Sequence, residues 1–320
     1  MRKSLTRITL RQLQIFNEVC DLRSYSRAAE EMSLTQPAVS LQIRQLEGLI
    51  GQPLFDYVGK KLYMTEAAEA LQRASRDIFG RLENLDMQLS DMQGSLQGQL
   101  KLAVESSAKY FVPHLFAAFK RQHPEVDLLL TVVNRAQAIR RMSDNRDDLV
   151  IMSMVPLDMG LEFLPFLNNP IVAVAAPDHP LSEMSALRFQ DLEPYTLLIR
   201  EQGSGTRIAC EEYFKEKRVH FTQTLEVASS DAQRECAIAG LGVALLTRHA
   251  LSLELATGLL RELPVEELPL YRSWCLVQAK DKRLSPVARA FQKFIGSERL
   301  QISALAARFA GYLPALPAKG

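Results

Sequence analysis

Apolar side chains at Leu10, Leu13, Ile15, Phe16 and Val19 follow a 3.6-residue period and predict a short helix over 10–19. Ser26 is placed to cap a second helix over 27–32, a stretch of good helix formers. Ser33 and Leu34 leave only a tight connection before Thr35, which can cap a third helix. Pro37 then falls in that helix's first turn. Its missing N–H is there one of the donors without an intrahelical partner, and its fixed φ already suits the helix. Val39, Ile43, Leu46 and Ile50 recur at i, i+4, i+7 and i+11 and form a core stripe. Pro37, Ala38, Leu41, Arg44 and Gln45 lie on the opposite face, with Gln36 and Ser40 on its flanks.

A longer rhythm follows. Thr65 can cap a helix with Glu66 in its first turn, and no strong breaker comes before Gly94. Along it Ser75, Ile78, Leu82, Leu85, Leu89, Met92 and Leu96 are spaced by three and four, an a/d seam over about three heptads. So narrow a stripe predicts a partner helix, most simply the same helix of a second subunit; packing against its own C-terminal domain is the alternative. The stretch "GSLQGQ" over 94–99 reads as a hinge.

After residue 100 the period shortens to that of strands, predicted over 100–105, 127–133, 148–153, 171–176, 196–200, 224–228, 243–246 and 273–279. Amphipathic stretches over 109–122, 136–143, 205–217, 231–239 and 285–295 lie between or after them. Such alternation gives an α/β unit with mostly parallel sheets, and its late returning strand and helix suit two lobes crossed twice by the chain. The expected division is therefore 1–64, a small helical unit with a wing; 65–93, a linker helix; 94–99, a hinge; 100–297, a two-lobed α/β unit; and 298–320, an extension.

Composition adds limits. The chain has 320 residues, 47% apolar and 23% charged, enough for two or three packed domains. The net charge of +1 points to no acidic partner, but residues 1–64 carry nine Lys/Arg against six Asp/Glu. Cys20, Cys210, Cys236 and Cys275 form no CxxC pair, which predicts buried reduced thiols rather than a metal site. His114, His123, His179, His220 and His249 show no ligand spacing. The N-terminus has no apolar signal core and no apolar run approaches membrane length, so the expectation is a cytoplasmic chain.

Two short helices, a tight turn and a third helix with a small, polar leading end describe a helix-turn-helix, whose last helix enters the DNA major groove. An ordinary helical core with a solvated face is the alternative. The next segment favours the first reading: "PLFDYVGKKLYMT" places Lys60 and Lys61 beside a Gly59 turn, as in a basic β-wing facing phosphates. Gln36 or Gln45 could pair with adenine, Arg44 with guanine or phosphate, and Leu41 with a thymine methyl. In the α/β unit, "ESSAKY", "REQGSGTR" and "ASSDAQ" each follow a strand with hydroxyls and open N–H groups. Singly these are ordinary caps; together they predict a cleft for a small anion. No nucleophile elbow, dinucleotide fingerprint or phosphate loop is present, so no catalysis is expected.

Residues 10–296 resemble the LysR-type transcriptional regulators, through "LRQLQIFNEVCDLRSYSRAAEEMSLTQPAVSLQIRQLEGLIGQPLF", the long helix and "YFVPHLFAAFKRQHPEVDLLL". "FLNNPIVAVAAPDHPL", "REQGSGTR", "ELATGLL" and "KRLSPVARAFQKF" are similar to the subgroup regulating carbon-fixation (RuBisCO) operons. The resemblance implies a winged helix-turn-helix dimerised by the linker helix, often a tetramer, and an effector domain like a periplasmic binding protein. Its DNA contacts map onto Gln36, Pro37, Ser40 and Leu41, with Thr35 at the helix start; its effector contacts map onto Ser106, Ser107, Gly203, Ser204, Gly205, Thr206, Ser229 and Ser230. The family's wing reads "FER" where this chain has "FDY", so Tyr57 replaces a minor-groove arginine; "TEAG" is "TEAA", with Ala68 for glycine. The expectation is a sequence-specific DNA-binding regulator, not an enzyme, with duplex DNA bearing interrupted palindromes, a small anionic metabolite, a second copy and RNA polymerase as partners. A solute-binding protein, or an enzyme with a DNA-binding appendage, are the alternatives.

Overall fold

In the computed structural model, residues 5–59, 61–92 and 96–297 are described. Lys60, residues 94–95 of the expected hinge and the extension 298–320 lie outside them. The chain divides into two compact units, meeting in sequence at Leu85 and Asp86.

The N-terminal unit holds α1 (Leu10–Leu22), α2 (Tyr25–Glu31), α3 (Gln36–Ile50), a hairpin of β1 (Phe55–Val58) and β2 (Lys61–Met64), and the start of α4 (Glu66–Met92). Thr9 opens α1 with a reciprocal box: its hydroxyl accepts from the Gln12 N–H at 3.2 Å, and Gln12 Oε1 accepts from the Thr9 N–H at 3.1 Å. The cap of α2 is Ser24, whose Oγ accepts from the Arg27 N–H at 3.3 Å, not the expected Ser26, which is exposed. Arg23, left-handed at φ 48°, ends α1 so abruptly that Ser24 is already the extended residue a cap requires. Phe16, Val19, Val39, Ile43 and Leu46 close the core, and the hairpin adds Leu62.

On α4, Ile78, Leu82, Leu85, Leu89 and Met92 are exposed in one row at spacings of four, three, four and three. Ser75 and Leu96 leave the predicted seam. Ser75 is buried in the N-terminal unit, accepting from Asn17 Nδ2 at 2.9 Å, and Leu96 lies past the helix end, packed on the second core.

The second unit is built on one nine-stranded sheet. In chain order its elements are β3 (Gly98–Glu105), α5 (Val112–Gln122), β4 (Val126–Val133), α6 (Arg135–Ser143), β5 (Leu149–Met152), β6 (Leu161–Ala175), β7 (Leu197–Arg200), α7 (Gly205–Lys217), β8 (Thr224–Val227), α8 (Ser230–Ile238), β9 (Val243–Thr247), α9 (Ser252–Thr257), β10 (Arg261–Glu262), β11 (Leu270–Ala279) and α10 (Pro286–Ser297). The strand order is β4-β3-β5-β11-β6-β9-β7-β8, with β10 paired to β6 off this path. Parallel triplets β4-β3-β5 and β9-β7-β8 make the two lobes, and the antiparallel pair β6–β11 runs through both.

That pair is longer than the pattern predicts. The expected strands 171–176 and 273–279 prove to be Leu161–Ala175 and Leu270–Ala279, paired at ten positions. Both Pro165 and Pro170 lie within β6, and Pro165 sits beside the register shift between Trp274 and Cys275, where a missing ladder donor is tolerated. Likewise α5 starts at Val112 rather than at 109, because residues Ser106–Ala108 first make a single 3-10 turn. The short α9 has no counterpart in the expected elements. Phe119, Trp274 and Phe291 centre the core of the first lobe; Phe189, Leu197 and Val243 centre that of the second.

Candidate DNA-reading helix and ligand cleft

The leading end of α3 is open. Gln36, Pro37, Leu41, Arg44 and Gln45 are exposed, Leu41 to 50%, and Ser40 is half-buried, while Val39, Ile43 and Leu46 face inward. Thr35 holds the extended cap conformation, but its hydroxyl makes no capping bond and the residue is exposed. The Arg44 guanidinium folds back on the Ser40 carbonyl at 3.4 Å, which keeps it over the same face. The wing is fixed from beneath: Glu47 on α3 accepts the Leu54 N–H at 2.8 Å, and Leu62 is buried. Above this anchor Tyr57, 66% exposed, and Lys61 stand free of the core. A polar, mixed-length edge of this kind offers hydrogen bonds to base edges and a cation for phosphates.

In the second unit, the loops singled out in the sequence converge between the lobes at the ends of β3, β7 and β8. Arg200, the last residue of β7 and only 2% exposed, joins them. Its Nη2 donates to Ser106 Oγ at 3.1 Å across the cleft, and its Nη1 donates to Ser230 Oγ at 2.5 Å. Its Nε and Nη2 also grip the Glu201 carboxylate at 2.8 and 2.9 Å. Ser107 Oγ and Thr206 Oγ1 lie 3.4 Å apart, and the Ala136 N–H donates to the Gly203 carbonyl at 3.1 Å. A second link joins Lys109 and Tyr110 of the first lobe to Asp231 at the start of α8: Tyr110 donates to Asp231 Oδ1 at 2.8 Å, and Lys109 forms an ion pair with the same carboxylate. Burial alone would raise the Asp231 carboxyl, but Lys109, Tyr110 and Arg234 together hold it below its ordinary value.

The predicted residues divide into two groups. Ser106, Ser107 and Thr206 take part in contacts between lobes, and Ser230 holds Arg200 from within the second lobe. Ser204 and Gly205 begin α7, where Ser204, 3% exposed, makes no side-chain cap bond. Gly203, at φ +86°, turns the chain where a β-carbon would stand 2.9 Å from that of Ala136. Ser229 caps α8, its Oγ accepting the Ala232 N–H at 3.1 Å. Sequence reasoning missed Arg200 and Glu105. Both were visible as charged residues ending otherwise apolar strands, a position that puts a charge at a sheet's carboxyl edge.

Among the described residues no group of His, Cys, Asp and Glu could hold a metal ion, and no helix is long and apolar enough to cross a membrane. Cys20, Cys210 and Cys275 are buried and Cys236 half-buried, all as free thiols; burial pushes the Cys210 thiol up to about 12, far from a reactive thiolate.

Comparison with known proteins agrees with both halves. Residues 10–69 match the bacterial regulatory helix-turn-helix protein, lysR family, and residues 93–299 match the LysR substrate binding domain. The RuBisCO operon transcriptional regulator of Acidithiobacillus ferrooxidans is 40% identical over 91% of this chain and 94% of its own. The HTH-type transcriptional activator CmpR of Synechocystis is 38% identical over 90% of this chain and 94% of its own. The regulatory domain of Synechocystis CcmR, solved in complex with 2-PG, superposes with a TM-score of 0.60 at 36% identity, covering 63% of this chain and 97% of that one. These relatives are named as regulators, and nothing in them supports the solute-binding alternative. The chain therefore belongs to the LysR family, DNA-binding transcriptional regulators that carry an effector-binding domain.

Proposed function

We propose that this regulator controls carbon-fixation genes in the cytoplasm, that the leading end of α3 and the wing read interrupted palindromic duplex DNA, and that its effector is a small phosphorylated carboxylate of the 2-phosphoglycolate class held between the lobes. The effector class rests chiefly on the buried Arg200 guanidinium, shared between Ser106 and Ser230 from opposite lobes. Two hydroxyls and a cation held at one point can accept an anionic oxygen by exchanging partners rather than by building new ones. The 36% identity to the CcmR domain, whose complex contains 2-PG, supports the same class. Effector binding acts on DNA only so far as it distinguishes two lobe arrangements. Regulatory contact with RNA polymerase completes the reading. Thermal-shift titration with 2-phosphoglycolate tests the effector class: no rise in melting temperature at saturating ligand, beside a rise with an unrelated metabolite, would reassign it.

The DNA contacts are separable by competition binding. A duplex of roughly 50 base pairs bearing an interrupted palindrome is compared with a scrambled one at two salt concentrations. Gln36→Ala is expected to erode discrimination by about 1–3 kcal/mol. Lys61→Ala is expected to weaken both duplexes alike and to lower the salt slope by about one. Uniform loss from Gln36→Ala would move that residue from reading bases to positioning.

The exposed row on α4 is assigned to self-association. Leu82→Glu places a charge in the middle of that row, and light scattering on the purified protein is expected to show dissociation toward monomer, with operator affinity falling in parallel. An unchanged mass would place the interface elsewhere.

A further inference from the structure

Glu105 ends β3 one residue before the Ser106 that contacts Arg200. Its side chain is 2% exposed, and its carboxylate accepts the Ser153 hydroxyl on Oε2 at 3.3 Å. Oε1 is buried with no hydrogen-bond partner. Both oxygens face the first turn of α7: a β-carbon placed on Gly205 would stand 2.7 Å from Oε1 and 2.9 Å from Oε2. The thirteen-residue α7 presents its amino end here, with Ser204 contributing no cap. The helix thus offers unsatisfied N–H groups and the positive end of its dipole, and the group aimed at it is a carboxylate of the protein itself.

The surroundings fix what that carboxylate can do. From α6, Arg135 favours its charge, but that guanidinium is held by the Met154 carbonyl at 2.7 Å. From β7, Arg200 favours it too, while bound to Glu201, Ser106 and Ser230. Beyond β5, Ser153 donates from both backbone and hydroxyl. From β11, Cys275 is a thiol that burial, and then Glu105, push up to about 11, so it stays neutral. On α7, Arg207 is turned to the Arg200 carbonyl, Glu211 and Glu226. Burial outweighs these partners and pushes the Glu105 carboxyl up to about 7.

We propose that Glu105 makes anion binding in this cleft proton-linked: charged, it occupies the amino end of α7 itself; neutral, it donates its O–H to a ligand's carboxylate or phosphoryl oxygen bound there. The inference deepens the effector reading above and rests on it for the identity of the ligand, not for the site. An anionic ligand and a Glu105 carboxylate in one buried space repel each other, so binding takes up a proton from solvent.

Calorimetric titration of the full chain with 2-phosphoglycolate and, separately, with inorganic sulfate tests this. Both probes keep a fixed charge between pH 7.5 and 8.5. The dissociation constant is expected to rise about eightfold across that step, with uptake near one proton, and to stay level in Glu105→Gln. Binding of 2-phosphoglycolate with the same slope in wild type and Glu105→Gln overturns the proposal and leaves the effector reading standing. Sulfate binding with the expected slope while 2-phosphoglycolate does not bind supports the proposal and overturns the effector reading. Failure of both anions to bind overturns the proposal. A ligand-free measurement accompanies these. Because the folded-state value lies above the unfolded one, wild type loses stability as pH rises from the ordinary carboxylate range to about 7, a loss that Glu105→Gln does not suffer. The variant is therefore expected to melt above wild type at pH 8, with the gap closing toward pH 5. A Glu105→Gln protein that melts below wild type at pH 8, or fails to fold, overturns the proposal.

Discussion

Replacing Arg200 with methionine is expected to cost the effector domain about 3–5 kcal/mol and to weaken anion binding roughly a hundredfold or more. The stability loss comes from what stays behind. Glu201 loses both bonds from the guanidinium, at 2.8 and 2.9 Å, and Ser106 and Ser230 lose their shared donor between the lobes. Thermal unfolding reads this as a fall of roughly 6–20 °C. Removing the stranded carboxylate as well, in Arg200→Met with Glu201→Met, is expected to recover much of the stability but none of the binding, which separates the two roles. Arg200→Lys keeps the charge without the planar fork and falls between. A methionine variant that melts and binds anions like wild type would show that the buried guanidinium holds neither the lobes nor the ligand.

A comparably large effect is expected far from any ligand, at Gly242. A β-carbon there would stand 2.1 Å from the backbone oxygen of Thr196, the same oxygen that accepts the Val243 N–H at 2.9 Å. Backbone cannot step aside as a side-chain tip can. Alanine must therefore push β9 off β7 at the Leu197–Val243 pair, and φ of +155° adds its own strain. Gly242→Ala is expected to lose about 4 kcal/mol or more, among the larger effects of single substitutions. It should also disturb Arg200, which ends the same short β7. Gly240 is the internal control: its φ is +75°, but nothing lies within 4 Å of an added β-carbon. Gly240→Ala should cost only the left-handed backbone penalty, about 1–2 kcal/mol. Equal melting of the two variants would place the damage in backbone strain rather than in the contact.

What the sequence made legible was short-range. A proline in the first turn, a stripe at i, i+4, i+7 and i+11, and a glycine turn between short apolar stretches are periodic or local signals, and α3 and the two strands of the hairpin formed as they predict. Signals whose meaning depends on distant partners were misread. Ser24 and Ser26 are equally good caps by composition; the left-handed Arg23 decided between them. The strand predicted over 171–176 starts ten residues earlier, because its pairing with β11, 110 residues away where Pro165 meets Cys275, leaves no local signal. In the cleft, the serine and glycine loops were readable from their place after strands. Arg200 and Glu105 carried only the signal of a charge ending an apolar strand; their burial was not readable, since it follows from two lobes closing over them. Ser229 shows the reverse limit: its place after a strand does not reveal that its hydroxyl also caps its own helix.

The β6–β11 pair carries a consequence for how far the ligand's message can travel. Ten pairings, interrupted by one register shift, hold the two lobes on one ribbon, so the lobes cannot swing apart on flexible cords without breaking a ladder. Their relative motion is therefore expected to be torsion, yielding first at the register slip between Trp274 and Cys275. Occupying the cleft should then twist the domain by a few degrees about that flexure, leaving the amides of both strands slow to exchange with and without ligand.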